Sequence, residues 1–206
     1  MTSNFSLSGI LKFANRTAFT LVEMLVVIAI IALLGTLGVI AFKQILESSR
    51  MELAGRIIVD EINLARQVAA SRNRNTEVRF IKKARDGGDA VFYRVQTGWL
   101  DKDGTFQPIA PEAKFPEGMI LSPSAGRSSL IGLLSEKIST NPVYNYKALI
   151  IRPSGFIEPQ NGIALDAPWF VTVLRARDEA KSDDGINDFI TVQIDPWTSR
   201  STIYRP

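Results

Sequence analysis

The chain has no cysteine and no histidine. Without cysteine there are no disulfides, no thiol nucleophile and no thiolate ligands for an iron–sulfur cluster. Without histidine the usual general base and the commonest zinc ligand are missing, which argues against hydrolases and metalloenzymes. Proline is absent until Pro108. No phosphate-binding loop is present, and Gly126–Leu130, "GRSSL", lacks the flanking pattern of a nucleophile elbow. No nucleophile–base pair is recognisable either, so the chain does not read as an enzyme. Charge is nearly balanced, with 24 basic and 21 acidic residues, and Lys12 and Arg16 supply two units of the formal +3. The basic balance is therefore partly an N-terminal effect and does not by itself imply a nucleic-acid partner.

A third absence is more telling. From Met24 to Phe42 no residue is charged, and only Thr36, Gly35 and Gly38 interrupt the apolar run. Such a run makes about 28 Å of helix, close to the ~30 Å of a hydrocarbon core. It is too long for a signal-peptide core, and no small-x-small cleavage site follows it. Lys12 and Arg16 on its N-terminal side predict a cytoplasmic N-terminus, with everything after Phe42 on the other side of the membrane. Glu23 stands at the mouth of the run. A carboxylate there is costly unless it is paired or kept at the interface, so it is a functional candidate.

The order of residues, a basic leader and then "A-FTLVE" before a long apolar helix, resembles the class III signal of type IV pilins and type II secretion pseudopilins. The resemblance implies a leader of residues 1–18, removed by a membrane-embedded prepilin peptidase between Ala18 and Phe19, with methylation of the new Phe19 N-terminus. It also implies that Glu23 pairs with the N-terminal amine of a neighbouring subunit as the protein leaves the bilayer for a filament. The implied partners are prepilin peptidase, other pilin or pseudopilin subunits and an inner-membrane assembly platform. The implied location is a single-pass inner-membrane protein with a periplasmic or extracellular head. The chain departs from the family in having Ala18 where glycine is usual and Ile40 where many members carry proline.

Residues 19–42 read as the transmembrane and assembly helix and 43–74 as its amphipathic continuation. Met51, Ala54, Ile58, Ile62, Ala65 and Val68 recur at three- and four-residue steps as one apolar stripe. Beyond Asn75 the period falls to two. "TEVRFIKK" sets Val78 and Phe80 against Glu77 and Arg79, and "RDGGDA" is a hairpin signal leading into "VFYRVQ". "LDKDGTF" marks a second turn. Pro153 and Gly155 mark a turn between two short strands, and "WFVTVLRARD", "DFITVQID" and "RSTIY" read as three more. Ser128–Ile138 reads as one short helix. The expected class is α+β, a long N-terminal helix packed on an antiparallel, β-rich head of residues 75–206.

The helix and head, with "IIRPSGFI" and "DPWTSRSTIYRP", are similar to the H-type minor pseudopilins and T-type minor pilins. Two head features could carry chemistry. The acidic loop with Asp178, Glu179, Asp183, Asp184 and Asp188 offers oxygen ligands for Ca²⁺, with Asp183, Asp184 and Asp188 as the candidate set; a solvated loop is the alternative. Arg200 and Arg205, with Arg72, Arg74, Arg79, Lys82, Lys83 and Arg85, could line a nucleic-acid contact of a DNA-uptake minor pilin. No other cofactor is expected. The remaining alternative is an uncleaved, membrane-anchored protein of another role.

Overall fold

The computed structural model describes residues 19–85, 88–140, 142–158, 168–182 and 185–206. The chain forms two compact units, Met1–Gln44 and Ile45–Pro206, and helix α1 (Leu21–Arg72) contributes to both.

In the first unit Thr20 starts the helix. Its Oγ1 accepts from the Glu23 amide at 3.2 Å and its carbonyl accepts from the Met24 amide, also at 3.2 Å. The segment Thr20-x-x-Glu23 is thus a capping sequence, with the acid in the turn where the helix dipole favours negative charge. From Leu21 to Leu34 every side chain is exposed, and almost all are large and apolar. Among the described residues no helix is long and apolar enough to cross a membrane. The side chains from 35 to 42, which would complete the run, lie outside the described ones.

In the second unit α1 turns one apolar face inward. Met51, Ala54, Ile58, Ile62, Ala65 and Ala69 are fully buried. Steps of 3, 4, 4, 3 and 4 keep this stripe at one angle on a helix of 3.6 residues per turn. Val68 lies one residue off that line and is only half-buried, so the sequence stripe needs Ala69 in its place. The helix stops at Arg72. Asn73 adopts φ 49°, and the Arg74 amide reaches back to the Ala69 carbonyl at 3.2 Å, closing the end with a left-handed cap.

Among the described residues ten strands follow: β1 (Thr76–Arg85), β2 (Gly88–Leu100), β3 (Phe106–Pro108), β4 (Ala113–Lys114), β5 (Met119–Leu121), β6 (Glu136–Thr140), β7 (Val143–Ile151), β8 (Trp169–Arg175), β9 (Ile190–Ile194) and β10 (Ser201–Tyr204). They form one antiparallel sheet in the order β10-β9-β8-β5-β2-β1-β7-β6, with β3 and β4 also on β2. Its inner face presents Val78, Phe80, Phe92, Val95, Leu149, Trp169, Val171 and Val192 to the helix stripe, in one continuous core. Burial of each such side chain contributes about 1.5–3 kcal/mol. Gly55 lets the helix approach β9, for a Cβ there would lie 3.0 Å from Ile190 Cγ2. Two threonines stitch sheet to helix: Thr76 donates to the Ala65 carbonyl at 3.0 Å and Thr97 to the Glu61 carbonyl at 3.2 Å.

Two local expectations are corrected and one element is added. Helix α2 covers only Ser129–Leu133, because Leu134 turns extended and Glu136–Thr140 are claimed by pairing with β7. After the turn at Pro153 and Gly155 the described residues, up to Glu158, make a single bridge, Ile151 to Ile157, in place of a second strand. The short β5 was not foreseen; it sits between β2 and β8 and joins the two halves of the sheet.

Candidate functional site

Phe19 and Glu23 sit at the start of α1, both exposed. Ala18 lies outside the described residues. Among the described residues Glu23 has no cationic partner; only its own backbone amide is engaged, by Thr20. The result is a single carboxylate presented on the first turn of an exposed apolar helix.

The head gathers the other candidate charges at the end of the sheet near Glu47. Glu47 accepts from Arg175 at 3.0 Å and from Arg177 at 2.8 Å. Arg175 also binds Asp178 at 2.6 Å, and Lys181 binds Asp178 at 2.5 Å. Arg205 bridges Asp188 at 2.8 Å and the Ser48 hydroxyl at 2.9 Å. Burial pushes the Asp178 carboxyl up, but bonds from Lys181 and Arg175 outweigh it and hold the pKa below the ordinary carboxylate range. Burial works against the Arg175 charge as well, and Asp178 and Glu47 reverse that, leaving its pKa raised. This network ties α1 to β8 and to the chain end after β10.

The acidic loop is therefore largely spent on internal pairs. Asp188 faces Arg205, and Asp178 is enclosed by two cations. Asp183 and Asp184 lie outside the described residues, and among the described residues no group of carboxylates is placed to hold a metal ion. The basic strip is similarly dispersed. Arg72 stacks over Trp99, Arg74 binds Asp101, Lys82 binds Glu136, and Lys83 lies over Tyr93. Arg205 is engaged within the head, while the exposed Arg200 holds the turn before β10 through its backbone.

The sequence did not reveal a second cluster on the outer sheet face. Glu77 and Arg79, next-but-one neighbours on β1, pair at 2.7 Å although only 3% and 8% exposed. Arg79 lies 3.6 Å from the Phe106 ring centroid and 4.3 Å from that of Tyr146, and donates to the Tyr144 hydroxyl at 3.3 Å. Burial opposes its charge, while Tyr144 and Glu77 more than restore it, so its pKa is raised. Lys137 of β6 approaches Glu77 at 3.9 Å. Alternation placed Glu77 and Arg79 on a solvent face, but β3 and the β6–β7 hairpin cover that face. Glu47, Arg175 and Arg177 were likewise invisible, since they are brought together from far apart in the chain.

Residues 13–39 match the family described as the prokaryotic N-terminal methylation motif. No curated protein matches the chain. Among solved structures, the minor pseudopilin EpsH from the type 2 secretion system of Vibrio cholerae is similar at 11% identity, over 76% of this chain and 96% of that one, with a TM-score of 0.41. The matched segment contains Ala18, Phe19 and Glu23, so the part of the chain similar to the prokaryotic N-terminal methylation motif is the part that carries these three residues.

Proposed function

We propose that this protein is a structural subunit, a minor pseudopilin or minor pilin of a type II secretion pseudopilus or a type IV pilus-like filament. The observation that carries the reading is the joint occurrence of the methylation motif over residues 13–39 and Glu23 on the first turn of an exposed apolar helix. In this reading prepilin peptidase cuts between Ala18 and Phe19 and the new N-terminus is methylated. The apolar run holds the protein in the inner membrane until an assembly platform extracts it.

Glu23 has a defined part in that step. The amine freed at Phe19 is a cation at the edge of an apolar medium, where an unpaired charge is strongly disfavoured. A carboxylate four residues along a neighbouring helix satisfies it and sets the register between subunits. Attraction is greatest in the low-dielectric setting where the helices meet.

Glu23→Ala should leave insertion and leader removal intact while abolishing co-fractionation with pilin-like subunits. Wild-type co-fractionation of the variant would refute the pairing. Intact mass of the membrane form supplies the second check: an N-terminus at Met1 would refute processing.

A further inference from the structure

One nitrogen of the nearly buried Arg79 has nothing to donate to. Its Nε donates to Glu77 Oε1 at 2.7 Å and its Nη1 to the Tyr144 hydroxyl at 3.3 Å. The rings of Phe106 and Tyr146 lie against the same guanidinium, with centroids 3.6 and 4.3 Å from its central carbon. Among the described residues nothing accepts from Nη2. That nitrogen is not sealed inside the protein, because Arg79 lines an open trough on the outer sheet face. A donor on so enclosed a side chain rarely goes without an acceptor.

The trough has a volume of about 390 Å³, within the range of small-molecule sites. Phe106 of β3 stands on one bank, and Ser139 and Tyr144 of the β6–β7 hairpin stand on the other. Gln96, opposite Arg79 in the β1–β2 ladder, lies on the floor beside it. The groups next to Nη2 are donors. A guanidinium has no lone pair to offer, and the Tyr144 hydroxyl, already accepting from Nη1, has its own hydrogen left to give. Two donors a few ångströms apart match a ligand with two acceptor oxygens. Local charge then selects its sign: Arg79, Lys137 and Arg94 are set against Glu77 and Glu112, which leaves one positive charge unbalanced. A single excess charge beside a planar donor edge suits a carboxylate better than a doubly charged phosphate.

We infer that this trough binds a carboxylate, with Arg79 Nη2 and the Tyr144 hydroxyl donating to its two oxygens. Glu77 and the two rings fix the guanidinium beforehand, so binding has little left to order. The same recognition serves a free small acid or the acidic side chain of an extended segment. The site lies in the head alone and does not rest on the N-terminal determinant.

The purified full chain in detergent, titrated with succinate at constant ionic strength, should show saturable binding by isothermal titration calorimetry. Succinamide, which has the same shape without the charge, should not bind. Tyr144→Phe removes one donor and should weaken succinate about tenfold, the loss of one hydrogen bond to a charged group. Gln96→Leu, a second variant in case Tyr144→Phe disturbs the fold, should weaken it as well. A blocked Gly-Asp-Gly peptide separates the sources: tighter binding than succinate assigns the carboxylate to a protein segment, and weaker binding to a free acid. No saturable binding of either acid, equal binding of succinamide or inorganic phosphate, or undiminished binding by both variants would overturn the inference and leave Nη2 facing only water. None of these outcomes depends on what Glu23→Ala does to assembly, so the two readings fail separately.

Discussion

Replacing Arg79 by methionine should be the most damaging single change on the outer sheet face, and worse than replacing its partner. Without Arg79, Glu77 keeps a carboxylate that is 3% exposed, with Lys137 at 3.9 Å, beyond hydrogen-bond reach. Breaking a buried pair this way costs about 3–5 kcal/mol. Glu77→Gln leaves Arg79 in a better position. The guanidinium retains the Tyr144 hydroxyl and the faces of Phe106 and Tyr146. A desolvated cation–π contact is worth about 2 kcal/mol, so the expected loss falls to about 1–3 kcal/mol. At roughly 2–4 °C per kcal/mol for a chain of this size, Arg79→Met should lower Tm by roughly 6–20 °C. The double variant Glu77→Leu, Arg79→Met removes both charges and should recover most of that loss. Thermal unfolding of the purified chain in detergent, followed by circular dichroism, provides the measurement. A larger loss for Glu77→Gln than for Arg79→Met, or a double variant no better than the worse single, would refute the reasoning.

Two further changes test other parts of the head. Gly98→Ala places a Cβ against the Phe106 ring and 2.5 Å from the Gln107 carbonyl, so β3 must leave β2. The expected cost is about 1–3 kcal/mol, with hydrogen exchange rising at Phe106–Pro108 before other strands; unchanged protection there would contradict it. Glu61 has a carboxyl pKa raised by burial, only partly countered by Thr97. A raised acid favours the protonated form in the fold, so its charge penalises stability above the folded pKa and ceases to do so below the unfolded value. Glu61→Gln should therefore raise Tm at neutral pH, with the gain vanishing below about pH 4; a gain that persists in acid would show that the charge is not its source.

Local periodicity made much of the architecture legible. The stripe from Met51 to Ala65 and the alternation of Val78 with Phe80 follow from one-sided burial, which leaves period 3.6 or 2 in the chain. Turn residues marked the β1–β2 hairpin and the Asp101–Thr105 turn, where Gly104 takes φ 75°. Less visible were elements that exist only through distant pairing. The short β5 has no pattern of its own and is a strand because β2 and β8 flank it. Glu136–Ile138 read as the end of a helix until pairing with β7 claimed it.

The N-terminal segment is the part determined by sequence alone. In the proposed reading, cleavage, methylation and insertion signals are read by enzymes and bilayer from a linear segment, so residues 1–18, Phe19, Glu23 and the apolar run would carry their meaning in order and spacing. Head charges depend on position in space. Asp188 and Arg205 looked like a cation ligand and a phosphate contact, and the tertiary structure turns them on each other. Glu77 and Arg79 looked solvated and are enclosed. A charge acts through what surrounds it within a few ångströms, and in this head those neighbours come from strands that only folding brings together.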